Sequence, residues 1–384
     1  MSINLTIIIS ILVIFIILYL YLYIIDHYQT NINNITWCHS DDCKSSIPYV
    51  INNAFKQNQI KQNDNKCDIY VPCSYNQIAN EFNKSTTNHN PKYVFVLGNS
   101  DQITNKKKIW TNLVKHLGLK TTLNIMPKTY LLSEEEDVQD LIKNHKPPKI
   151  YILKKNIQRQ RGIKITNDLD DIKNGYDDGF VIAQDLLQNP YLVNRRKINL
   201  RIYVLVVYRL DKIESYMHYN GFMYYTKEYF KTNSLEYGPN ITTGYIDRQV
   251  YQENPLTLDD FRKYLDDVNR KLTETEISLK TKYGQLSQLL FNRIGIIIKM
   301  VIDAVESELK NVLRDKNVCY FQLFGADIAV SNKLFPMIME FNKGPDLGIK
   351  DERDGNVKKK VAIDILKVIG IVPNLNKHHF IKLS

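Results

Sequence analysis

Tryptophan occurs twice and cysteine five times in 384 residues, and no lysine or arginine stands before Lys44. Twelve prolines and 15 glycines are too few for a collagen-like repeat or a proline-rich low-complexity chain. No internal repeat is apparent. The apolar run at 7–25 has no basic residue before it and no small-residue cleavage site after it, which argues against a cleavable signal peptide. Cys38, Cys43, Cys67 and Cys73 are spaced C-x4-C and C-x5-C, and His39 does not complete a zinc pattern. No basic patch interleaved with aromatics marks a nucleic-acid module, so nucleic acid is not expected as a partner.

Charged residues at 24% and hydrophobic residues at 44% rule out a wholly disordered chain. Lysine and arginine total 51 against 41 aspartate and glutamate, a net charge of +10. That excess suggests an anionic partner: a nucleotide, a membrane surface or an acidic protein tail. Composition alone does not choose among them.

The run at 7–25 is apolar except for Ser10. At 1.5 Å per residue it spans about 28 Å, close to the hydrocarbon thickness of a bilayer. Tyr19, Tyr21 and Tyr23 lie toward its end, where amphipathic rings favour the headgroup level. Residues 1–25 therefore read as a single-pass membrane anchor. The positive-inside signal is weak. Cys38, Cys43, Cys67 and Cys73 are either two disulfides on an oxidising side or four free thiols in a reducing one. Residues 26–91 are polar and rich in Asn and Gln, and read as a cysteine-containing stalk.

From Lys92 the pattern turns to strands alternating with helices, an α/β or α+β signature. Strands are expected at 93–97, 149–153, 180–183, 199–208, 320–330 and 334–341, and helices at 106–117, 294–313 and 357–368. Residues 212–219 and 221–225 are expected to pair across Asn220-Gly221, a favoured hairpin dipeptide. Thr257 and Asp260 have the spacing of a capping box.

The chemistry concentrates late in the chain. Glu340 and Asn342 share one face of a strand through its period of two, and Asp327 lies on the strand before. A hairpin would gather these oxygen ligands into a set suited to Mg²⁺ that also holds phosphates. Upstream, Lys154 ends a strand and a basic loop follows with Arg161, Gly162 and Ile163. Lys197 and Arg201 fall near the start of the 199–208 strand.

These residues carry a resemblance. MPKTYLL, KIYILKK…RGI, VIAQDLLQNPYLVNRRKINLRIYVLV and LFGADIAV…PMIMEFNKGPDL are similar to motifs of the tubulin–tyrosine ligase-like family, and ITNKKKIWTNLVK resembles its opening lysine-containing helix. The resemblance runs from about Lys92 to about Ile371. It implies an α+β ATP-grasp fold over 92–384, with the nucleotide between two sheets. It also implies an ATP- and Mg²⁺-dependent ligase that adds a free amino acid to a protein carboxylate through an acyl phosphate. Under it, Lys154 contacts phosphates, Arg161, Gly162 and Ile163 close over them, and Gln184, Asp185, Leu186 and Leu187 form the adenine hinge. Lys197 and Arg201 steer nucleotide and substrate, and Asp327, Glu340 and Asn342 hold the metal; Arg201, Lys197 and Glu340 are the catalytic candidates.

The motifs also depart from the family pattern. Asn199 replaces the acidic residue of K-x-D-L-R, Tyr224 stands where an arginine is usual, and Thr242-Thr243-Gly244-Tyr245 replaces Thr-Asn-Tyr. Lys343 and Asp346 stand where small or hydroxyl residues are commoner. The altered set lies toward the acceptor side. The expected acceptor is an acidic tail such as that of tubulin; the alternative is an anchored pseudoenzyme that binds nucleotide or tail without catalysis. ATP chemistry favours a cytosolic catalytic region, and closed disulfides in 38–73 would weigh against that.

Overall fold

The computed structural model describes residues 9–10, 12–19, 35–40, 43, 46–64, 66–87, 90–157, 162–243, 248–313, 315–374 and 377–383. The expected anchor lies partly outside the described residues. Its described part, 9–10 and 12–19, is helical. There Leu12, Ile14, Phe15 and Ile17 are all exposed. Among the described residues no helix is long and apolar enough to cross a membrane.

The chain divides into two compact units. The first comprises residues 1–73, 83–95 and 347–378. Its sheet is parallel, ordered Lys61–Gln62, Thr36–Cys38, Ile69–Tyr70, Tyr93–Val94. The stretch expected as a stalk thus carries regular structure. Its strands are only two or three residues long, too short for period-two alternation to show in the sequence. Helix Tyr49–Gln57 buries Val50, Ile51, Ala54 and Phe55 on one face and packs against helix Glu352–Val368. The latter starts at Asp351, whose side chain accepts from Asp354 N. The cysteines pair as Cys38–Cys67 and Cys43–Cys73. Of the two states the sequence left open, this is the one that belongs to an oxidising environment.

The second unit comprises residues 74–82, 96–346 and 379–384 and holds two antiparallel sheets. The smaller is ordered Thr129–Leu131, Ile182–Asp185, Tyr151–Lys154, Ile163–Thr166. The larger is built on Arg196–Arg209, a strand of 14 residues. One edge of it pairs with Cys319–Val330, which pairs in turn with Pro336–Asn342. Helix Leu286–Lys310 buries Leu290, Ile294, Ile298, Val301, Val305 and Leu309, a stripe of three- and four-residue steps along one face.

The expected hairpin across Asn220-Gly221 is not formed. Lys212–His218 and Phe222–Thr226 instead pair side by side with one edge of the long strand, the former with 204–209 and the latter with 198–201. The tight turn falls earlier, at Leu210 and Asp211, both with positive φ (50° and 65°), the conformation a two-residue hairpin needs. Gly221 serves close approach: a Cβ there would lie 2.2 Å from the Arg201 carbonyl oxygen. The capping box forms as expected, Thr257 and Asp260 satisfying each other's backbone N–H at the start of Leu258–Asp266.

Candidate active site

The cationic side of the site begins on the smaller sheet. Lys154 ends Tyr151–Lys154, is buried, and donates from Nζ to Gln184 Oε1 at 2.8 Å. Gln184 passes the chain on, its amide donating to Thr129 Oγ1 at 2.8 Å. Burial pushes the Lys154 ammonium down to about 8; Glu340 and Asp327 support its charge and Lys106 opposes it. Lys197, on the long strand, is only 5% exposed. Among the described residues its ammonium forms no hydrogen bond or ion pair. Burial, and then Lys154, bring it to about 8 as well. Two buried ammonium groups in one place are costly unless an anion meets them.

The anionic side lies on the larger sheet. Register sets Arg201 opposite Asp327 and Asp327 opposite Glu340 on successive strands. Arg201 grips Asp327 with both ends of its fork, Nε to Oδ1 at 2.7 Å and Nη2 to Oδ2 at 3.1 Å. The Asn342 amide nitrogen donates to Asp327 Oδ2 at 3.2 Å and to Glu340 Oε1 at 3.5 Å. Burial raises the Asp327 carboxyl, against the pull of Arg201. Burial works to raise Glu340 too, but Lys106, Lys154 and Arg201 outweigh it and hold that carboxyl below its ordinary value. Gly325 makes room for the guanidinium: a Cβ there would sit 3.0 Å from Arg201 Cδ.

Lys106 is a member of this group that sequence reasoning passed over. Its ammonium lies 3.5 Å from Glu340 Oε2. The signal was present: Lys106, Lys107 and Lys108 open helix Lys106–Leu117, whose first turn holds no acidic residue. Three cations at a positive helix end are unfavourable unless an outside anion compensates them.

The remaining candidates are placed as follows. Arg161 lies outside the described residues. Gly162 has φ +74° and turns the hairpin back, its carbonyl accepting from Lys155 N at 2.8 Å; Ile163 then pairs with Lys154. Asp185 is raised by burial, which Lys149, 3.0 Å away, counteracts. Leu186 clusters with Ile150 and Ile165, and Ile241 packs on them. Leu187 is half-buried beside it. Among the altered positions, the Asn199 Oδ1 is buried without a hydrogen-bond partner among the described residues. The Arg201 guanidinium stands 5.1 Å from the centre of the Tyr224 ring, and Lys343 pairs with Asp101 at 2.9 Å. The Asp346 carbonyl accepts from Tyr203 Oη at 3.2 Å, Thr243 pairs with Tyr225 on the sheet edge, and Gly244 and Tyr245 lie outside the described residues.

The fold and this site define a mixed α+β protein in which a buried cation on one sheet, Lys154, sits within electrostatic reach of a carboxylate cluster on another. Residues 72–379 match the model of the tubulin-tyrosine ligase family, and the chain belongs to that family. It is 24% identical over 326 residues to a probable tubulin polyglutamylase, TTLL9, of Rattus norvegicus, an alignment covering 81% of this chain and 61% of that protein. It is 27% identical over 254 residues to a probable beta-tubulin polyglutamylase of Tetrahymena thermophila, covering 63% and 21% of the two chains. A human tubulin polyglutamylase, TTLL7, is 24% identical over 280 residues, covering 68% and 30%. The chain therefore spans about three-fifths or less of the length of these relatives.

Proposed function

We propose that this chain is an ATP-dependent ligase of the ATP-grasp type that joins an amino acid to a carboxylate on an acidic protein tail, with tubulin-like tails as the first candidates. The observation that carries the reading is the convergence of Lys154, Lys197 and Lys106 with the Arg201–Asp327–Glu340–Asn342 cluster. The donor set fits its implied occupants. Asp327 and Glu340 offer hard oxygens suited to Mg²⁺. Asn342 engages them through its amide nitrogen, which leaves its carbonyl oxygen for a metal. The buried lysines fit phosphate oxygens. The polyglutamylase names of the relatives support an amino acid and an acidic acceptor.

In this reaction the acceptor carboxylate oxygen attacks the γ-phosphorus, the β–γ bridging bond breaks, and ADP leaves. The amine nitrogen of the incoming amino acid then attacks the acyl carbon. Inorganic phosphate departs with the C–O electron pair, and the amine proton passes to solvent. Lys154 and Lys197 hold the phosphate oxygens and oppose the charge that moves onto them. Arg201, fixed in plane by Asp327, presents its remaining N–H donors to the acceptor carboxylate. Mg²⁺ held by Asp327, Glu340 and Asn342 would neutralise phosphate charge.

The apolar run at 7–25 is read as a membrane anchor, a reading supported by the exposure of its described apolar side chains. The decisive experiment uses the full chain with Mg²⁺, ATP, labelled amino acids and glutamate-rich tail peptides. Incorporation of label with ADP release is expected. Nucleotide binding without transfer to any acceptor would instead identify a protein that keeps the site and has lost the chemistry, and no Mg-dependent nucleotide binding would overturn the reading.

A further inference from the structure

Two segments distant in sequence are tied together twice beside the carboxylate cluster. Lys343 follows directly on Asn342, the last residue of Pro336–Asn342. Its ammonium lies 2.9 Å from Asp101 Oδ1, with its own side chain only 17% exposed. Behind this pair, the fully buried Gln322 bridges the same segments. Its Nε2 donates to the Lys343 carbonyl at 3.0 Å, and its Oε1 accepts from Leu97 N at 3.0 Å. The turn from Leu97, closed by Ser100 N donating to the Leu97 carbonyl, leads straight into Asp101.

Asp101 opens the short helix Asp101–Thr104. Asn105 ends it and caps the next, its side chain accepting from Lys107 N and Lys108 N. Lys106 is the first residue of that next helix and the one whose ammonium meets Glu340 Oε2 at 3.5 Å. One helical turn and one capping residue therefore carry the position of Asp101 to Lys106. On the other segment, Lys343 sits three residues beyond Glu340, immediately after the strand ends. The helix dipole disfavours a lysine in the first turn; Lys106 is drawn to Glu340 Oε2 at 3.5 Å and donates to the Ile157 carbonyl at 3.3 Å, and fixing the segment that carries it favours this approach.

We propose that Lys343 and Asp101, backed by Gln322, form a brace that positions Lys106 against Glu340 and so sets the charge at the phosphate-binding side of the site. Lys343 is thus a positioning residue. The proposal rests on the nucleotide reading of the site, and the test separates the two.

The affinity of the full chain for a non-hydrolysable fluorescent ATP analogue with Mg²⁺ is measured first; no binding by the unaltered protein overturns the nucleotide reading. Lys343→Met and Asp101→Asn are each expected to weaken binding by about two- to fivefold, in keeping with a partly exposed ion pair. Lys106→Met weakens it further, and adding Lys343→Met to Lys106→Met has no additional effect, because the brace acts through Lys106. The Asp101→Lys, Lys343→Asp exchange restores most of the affinity. Unchanged binding in Lys343→Met, or losses that multiply with Lys106→Met, would overturn the brace. A second measurement is independent of nucleotide. In Lys343→Met, amide exchange is expected to rise several-fold in the first turn of Lys106–Leu117 with the melting temperature of the whole chain held. Unaltered exchange there would also sink the proposal.

Discussion

At the scale of single residues, the site is governed by two lysines whose charge the fold makes expensive. Lys154 and Lys197 are both lowered to about 8 from an ordinary value of 10.5, burial being the larger cause in each. The unfolded chain binds these protons more tightly than the folded one. The unliganded protein is therefore expected to gain stability as pH rises through 8 toward 10. Phosphate binding has the opposite sign, because it needs the protonated form. Affinity for an ATP analogue should fall as pH goes from 7 to 9, and Lys197→Met should flatten that slope as well as lower the affinity. A titration showing equal slopes in both proteins would remove Lys197 from the phosphate set. Glu340 supports the Lys154 charge, so Glu340→Gln should move the pH dependence to lower pH and abolish Mg-dependent turnover. Unchanged turnover in that variant would take Glu340 out of the metal site.

At the scale of elements, legibility followed length and regularity. The helix at 106–117 and the capping box at Thr257 and Asp260 were readable because period and cap chemistry are local signals. So was the gathering of Asp327, Glu340 and Asn342, since a two-residue period puts Glu340 and Asn342 on one face and the strand pairing sets Asp327 opposite Glu340. The pairing of Lys212–His218 and Phe222–Thr226 was not readable: a favoured turn dipeptide at Asn220-Gly221 outweighed the fact that one long strand can pair with two short ones in succession. The strands between Thr36 and Tyr70 escaped for a different reason, being too brief to show a period. Gly221→Ala tests the close strand approach directly. Its Cβ would meet backbone rather than a movable side chain, so a loss of about 3 kcal/mol in denaturant unfolding is expected; a loss under about 0.5 kcal/mol would show that the crossing relaxes freely. The disulfides close loops with sequence separations of 29 and 30. Each should contribute about 3–4 kcal/mol, so a reductant should lower the melting temperature. Alkylation of the native chain should leave Cys38, Cys43, Cys67 and Cys73 unlabelled, and labelling of all four would show that the pairs are open.

At the scale of the whole molecule, the net charge of +10 has to be divided between two tasks. Lys106, Lys154, Lys197 and Arg201 are committed to the site, where Asp327 and Glu340 already offset part of their charge. The phosphate contacts proposed for them would take place in a buried setting, where salt screens weakly. An acidic tail drawn to exposed lysines and arginines elsewhere would be steered across solvent, where the screening length is about 8 Å at physiological ionic strength. The two tasks should separate on a salt axis. Between 50 and 300 mM salt, the apparent affinity for a glutamate-rich acceptor peptide is expected to fall by roughly tenfold or more, as for other electrostatically steered encounters. Affinity for the ATP analogue should change by about threefold or less over the same range. Equal salt dependence for both ligands would mean that the acceptor is recognised inside the site alone, with no contribution from the basic surface.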